Sequence, residues 1–110
     1  MIDKEDLLEI DDDYFRILVV ASYYVVLLSK CTGHQWHLLE QEANGHRTFL
    51  IRHRHNSIDP YHRQTNRPCI GACCRYIMDH DVYHLKKIQK QKEHRLRRLG
   101  LIESDNQRMR

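Results

Sequence analysis

Glycine and proline are scarce in this chain: four glycines and two prolines in 110 residues. No glycine-rich loop of the kind that cradles phosphates can be drawn through them. There is no Cys-x-x-Cys knuckle and no His-Glu-x-x-His pair. That removes the commonest zinc-finger and metalloprotease patterns. No Ser/His/Asp set and no paired carboxylates in a polar setting stand out either. The motif content therefore leans away from an enzyme, a small hydrolase using His53, His55 or His62 with Asp59 being the weakest of the options. Hydrophobic runs are short as well. The longest, Ile17–Leu28, is broken by Ser22 and falls well below the ~20 residues that span a bilayer as a helix. The first ten residues carry acids where a secretory leader would need a basic start and an apolar run. With four cysteines, two of them adjacent at Cys73 and Cys74, the expectation is a cytoplasmic protein with free thiols.

What the chain does have is charge sorted by position. Asp3, Glu5, Asp6, Glu9, Asp11, Asp12 and Asp13 lie in the first 13 residues against Lys4 alone. Lys86, Lys87, Lys90, Lys92, Arg95, Arg97 and Arg98 lie between 86 and 98 against Glu93 alone. The net charge is only +3, so the two ends either attract each other or the basic end meets an anion. Histidine is abundant, nine residues in all, and six of them (His34, His37, His46, His53, His55, His62) fall between His34 and Cys74.

Length indicates one domain over 1–110, with 1–10 and 103–110 loosely held at its ends. Asp11-Asp12-Asp13 offers an N-cap to the apolar stretch that follows. Its length argues for a helix from Tyr14 to about Ser29. Val19-Val20 and Val25-Val26 argue for strand, because β-branched side chains fit a pleated surface best. The helix is the reading taken. Apolar on all faces, it must be covered on all faces, which suggests a homodimer formed through Tyr14 to Leu28. Gly33 ends it. His34–Gln41 and His46–His55 then read as a β-hairpin about Asn44-Gly45, with Gln41 opposite His46. Trp36, Leu38, Phe49 and Ile51 share its inward face, and Arg52 and Arg54 its outward one. Asn56–Pro68 reads as loop, Cys69–Asp79 as a helix, Asp79-His80-Asp81 as a break, and Val82–Leu99 as a last helix. The fold class expected is α+β: an N-terminal apolar helix, a β-hairpin and two C-terminal helices.

Three candidate sites follow. His34, His53 and His55 meet at the open end of the hairpin, with Cys31, His62 and Cys69 near in sequence; His-x-His on a strand is half of a zinc site. Cys69, Cys73 and Cys74 with His80 and His84 form a second group, for which core packing is the simpler explanation. The third is a basic set, Arg47, Arg52, Arg54, Arg63, Arg67, Lys86, Lys87, Lys90 and Arg97, suited to phosphates. The leading expectation is a small non-enzymatic cytoplasmic binding protein that presents this basic set to an anionic partner, nucleic acid among the candidates. The alternatives are zinc binding by His34, His53 and His55, and an adaptor or inhibitor acting on another protein through its apolar first helix.

Overall fold

The apolar stretch after Asp13 folds back on itself. In the computed structural model, which describes residues 1–102, it forms two strands, β1 (Phe15–Val20) and β2 (Tyr24–Ser29), in place of the expected helix. The two valine pairs win over length because Ala21-Ser22-Tyr23 supplies a turn. The Ala21 N–H donates to the Tyr24 carbonyl at 2.9 Å, and the halves then pair antiparallel, with Val20 opposite Val25. The homodimer and adaptor surfaces expected on that helix lose their basis. In their place is an edge strand whose Ile17, Leu18, Val19 and Val20 are 37–51% exposed.

β3 (Gln35–Ala43), β4 (His46–Arg54) and β5 (His62–Arg67) complete a five-stranded antiparallel sheet in simple sequence order. The expected helix–hairpin–two-helix fold is thus corrected to a meander sheet with one long helix. The β3–β4 turn takes two residues, Asn44 and Gly45, both at positive φ, the backbone that asparagine and glycine tolerate best. This puts Ala43 opposite His46, two residues away from the Gln41–His46 pairing. Because side chains alternate with a period of two, that shift leaves every residue on its own face. Trp36, Leu38, Phe49 and Ile51 are fully buried. β5 lies in the segment expected to be loop. Its sequence, His-Arg-Gln-Thr-Asn-Arg, has no apolar alternation, and pairing with β4 alone makes it a strand.

At the N-terminus, α1 (Lys4–Leu8) is a short helix, closed by a capping box between Asp3 and Asp6. At the other end, α2 runs unbroken from Ile70 to Arg98. The break and fresh cap expected at Asp79-His80-Asp81 are absent. No glycine or proline interrupts the chain from Ala72 to Leu99, and Asp81 faces the protein, where its carboxylate accepts a 2.7 Å hydrogen bond from the Tyr14 hydroxyl. The tail over 103–110 lies outside the described residues.

The inner face of the sheet supplies Phe15, Val25, Leu27, Trp36, Leu38, Phe49 and Ile51. The first turns of α2 cover it with Ile70, Cys73, Cys74 and Ile77, and Ile10 closes one side. Burying a side chain of the size of Trp36 or Phe49 removes roughly 150–250 Å² from water, so these rings anchor the two layers. On the outer face Tyr24 stacks on His37, Tyr61 sits against His37, and the Arg54 guanidinium lies 4.2 Å over Tyr61. Beyond Asp81 no residue of α2 is buried. Its basic half projects past the sheet, and that overhang forms one wall of the site.

Candidate metal centre

Three elements carry histidines to one corner of the molecule. His34 follows the β2–β3 turn, where Gly33 at φ +74° lets the chain reverse and the His34 carbonyl accepts from the Ser29 N–H at 3.0 Å. His53 is on the inner face of β4 opposite Trp36, and His55 comes just after that strand. His80 and His84, one helical turn apart on α2, close over them. His34 stacks on His55 with ring centres 4.2 Å apart and planes 7° from parallel. His84 meets His34 edge-on at 4.6 Å, and His80 meets His53 at 4.9 Å.

The ligand-bearing nitrogens of His34, His53 and His55 all lie within 4.8 Å of one another. His53 Nε2 is 3.0 Å from His34 Nδ1. In a tetrahedral site with Zn–N of about 2.0–2.1 Å, ligand nitrogens stand about 3.3 Å apart, so this spacing is close to that of two ligands of one ion. His34 and His53 are buried; His55 is exposed.

Electrostatics favour the form a metal needs, since a metal binds neutral imidazole. Burial pushes the His53 pKa down to about 3, with the charge His80 would carry as the next cause. Burial likewise pushes His34 down to about 4, His55 and His84 adding to it and Asp81 opposing it. His80 is also lowered by burial. Arg52 and Arg54, which flank His53 in sequence, do not face the cluster. They share the outer face with His37, whose pKa is lowered first by burial and then by both arginines. The Arg54 guanidinium is held by Gln35 Oε1 at 2.6 and 2.9 Å.

Behind the cluster, Trp36 stacks on His53 at 4.1 Å and donates its indole N–H to Ser29 Oγ at 3.1 Å. In front lies a cleft of about 500 Å³ between the β4–β5 end of the sheet and the overhang of α2. His53 and His55 line it, together with His62, Tyr83, His84 and Lys87.

Other residues singled out in the sequence fall elsewhere. Cys31 is exposed, 3.4 Å from the Tyr14 hydroxyl and 3.9 Å from Asp81. Cys69 occupies the N-cap position of α2 without a side-chain capping hydrogen bond, and Cys73 and Cys74 are core thiols pushed up to about 12 by burial. His80 and His84, grouped with those cysteines by sequence proximity, belong to the histidine corner; their i, i+4 spacing was the signal. The basic set is spread over three surfaces. Arg47 is bound to Asp6 and Glu40 at the far end of β4. Arg52 and Arg63 pair on the outer face, and Arg67 lies 5.0 Å over the Tyr76 ring. Lys86, Lys87 and Lys90 are exposed on the overhang, where Arg97 pairs with Glu93 at 3.7 Å.

No family model, curated protein or solved structure matches this chain. No described helix is long and apolar enough to cross a membrane.

Proposed function

We propose that the chain is a zinc-binding protein whose ion is held by His34, His53 and His55. The observation that carries this is the convergence of three ligand nitrogens within 4.8 Å from two separate parts of the sheet, two of them on buried side chains. Two of the five imidazoles at this corner, His34 and His53, are buried, and burial without a bonded carboxylate makes their charged form costly. The rings are thereby kept neutral, the form in which imidazole ligates a metal. Three protein ligands leave a fourth position, the arrangement of zinc sites that exchange water or a ligand, unlike closed structural sites. The four free cysteines support a cytoplasmic location. Zinc titration against a competing chromophoric chelator tests the centre, with His55→Gln as the variant because His55 is exposed and its loss leaves the core intact. One ion per chain and at least about tenfold weaker binding in the variant are expected. Equal affinity in the two proteins would sink the assignment.

A second reading, binding of an anionic partner such as nucleic acid, draws support from the overhang of α2, where Lys86, Lys87 and Lys90 are exposed. Arg52 and Arg63 add charge on another face; Arg47 is already engaged. Its signature is an affinity that falls steeply with salt. Binding that is indifferent to salt between 50 and 200 mM, about the range over which such contacts weaken most visibly, would rule it out.

A further inference from the structure

The cleft beside the histidine corner carries hydrogen-bonding groups on both walls, one cation, Lys87, and no carboxylate. Its sheet wall ends in His55 and His62; its helix wall presents Tyr83, His84, Lys87 and Gln91. None of the α2 acids near it in sequence, Asp79, Asp81 and Glu93, lines it, and Asp81 is fully buried and bonded to Tyr14. The two walls come from parts of the chain 25 residues apart, His62 on β5 and Lys87 on α2. This is a formed recess and not one solvated helix face.

Resting on the zinc reading, the ion would form the floor of this cleft, since His53 and His55 both supply ligands and line it. An ion held there would border the recess, whose lining also offers Lys87 and His62 to a ligand. We infer that the cleft takes a small molecule with a terminal phosphoryl group, one oxygen on the ion and the others on Lys87 and His62. A phosphoryl group carries close to two negative charges and three strong acceptor oxygens at neutral pH, one for the ion and one for each of the two N–H donors. A carboxylate has two oxygens, and the cleft lining lacks the arginine fork that matches it side-on. The volume, about 500 Å³, is that of a small-molecule site and not of a duplex groove.

The experiment is calorimetric titration of phenyl phosphate, inorganic phosphate and benzoate into protein loaded with one equivalent of zinc and freed of excess metal. Phenyl phosphate is expected to bind once per chain, at least about tenfold more tightly than benzoate and than it binds to chelator-treated protein. Lys87→Gln, a change at an exposed position, is expected to weaken phenyl phosphate about tenfold, the scale of one charge-assisted hydrogen bond, and to leave zinc affinity unchanged. Inorganic phosphate binding as tightly as phenyl phosphate identifies the free ion as a sufficient ligand and still supports the phosphoryl site. Zinc-loaded protein that ignores both phosphates, or prefers benzoate, overturns the cleft assignment while the metal centre stands. Phosphate binding that is the same with and without zinc overturns the metal anchorage. A chain that takes up no zinc overturns the metal centre, and this inference with it.

Discussion

His53 Nε2 and His34 Nδ1 lie 3.0 Å apart inside the protein, between residues that reach each other from two different strand ends. Two neutral imidazoles at that distance share one proton, whichever ring carries it. For both facing nitrogens to ligate one ion, the donor ring would carry its proton on its other nitrogen.

The pH dependence of the metal-free protein follows from the same pair. The folded pKa of His34 is about 4 and that of His53 about 3, both below the unfolded value of 6.5. Between those values the unfolded chain binds protons that the folded chain refuses. Stability is therefore unaffected above about pH 6.5 and is lost as pH falls toward 4. Near pH 5 the unfolding equilibrium should take up about two protons from this pair alone. Trp36, the only tryptophan, stacks on His53 and gives the fluorescence signal. Urea midpoints that fall between pH 6.5 and 4.5 are expected; midpoints unchanged over that range would contradict the burial of these neutral rings.

Arg47 acts at the opposite end of the sheet. Its guanidinium bonds Asp6 at 2.6 and 2.9 Å, the Met1 carbonyl at 3.0 Å, and Glu40 as well. It thereby ties α1 to β3 and β4, and its hydrogen bond is the first cause of the lowered Asp6 pKa. The Arg47 side chain is 40% exposed, so screening keeps the gain small. Arg47→Ala should cost about 1 kcal/mol in urea unfolding, less at high salt, and should leave zinc binding unchanged. A loss of zinc affinity in this variant would show that the two ends of the sheet are coupled in a way the contacts do not explain.

Thiol chemistry separates the cysteines. Cys73 and Cys74 are buried with pKa values pushed up to about 12, while Cys31 is exposed. Only the thiolate attacks a disulfide reagent. In native protein at pH 8, Cys31 is expected to react first, with Cys73 and Cys74 modified only in denaturant. Four thiols reacting at one rate in the folded protein would contradict the core assignment.

Parts of this organisation were legible in the sequence. Alternation on β3 and β4 identifies Trp36, Leu38, Phe49 and Ile51 as an inward face, and the Asn44-Gly45 pair marks the turn between them. The meander was not, for two reasons. Tyr14–Ser29 is apolar on both sides of a short turn, so its period is ambiguous between helix and strand. β5 is polar throughout and becomes a strand through its partner, which no local pattern reports. At the site, His34, His53 and His55 are read correctly as neighbours because a hairpin brings strand ends together. His80 and His84 are missed as members because a helix break was expected before His84. With the helix continuous, both fall on the side of α2 that faces the cluster.

The most direct measurement is the metal content of the chain purified without a histidine tag and dialysed against metal-free buffer. Elemental analysis should find about one zinc per chain, falling toward zero in the His34→Ala, His53→Ala double variant. Zinc below about 0.2 per chain in the unaltered protein, after supplementation with the metal, would contradict the account.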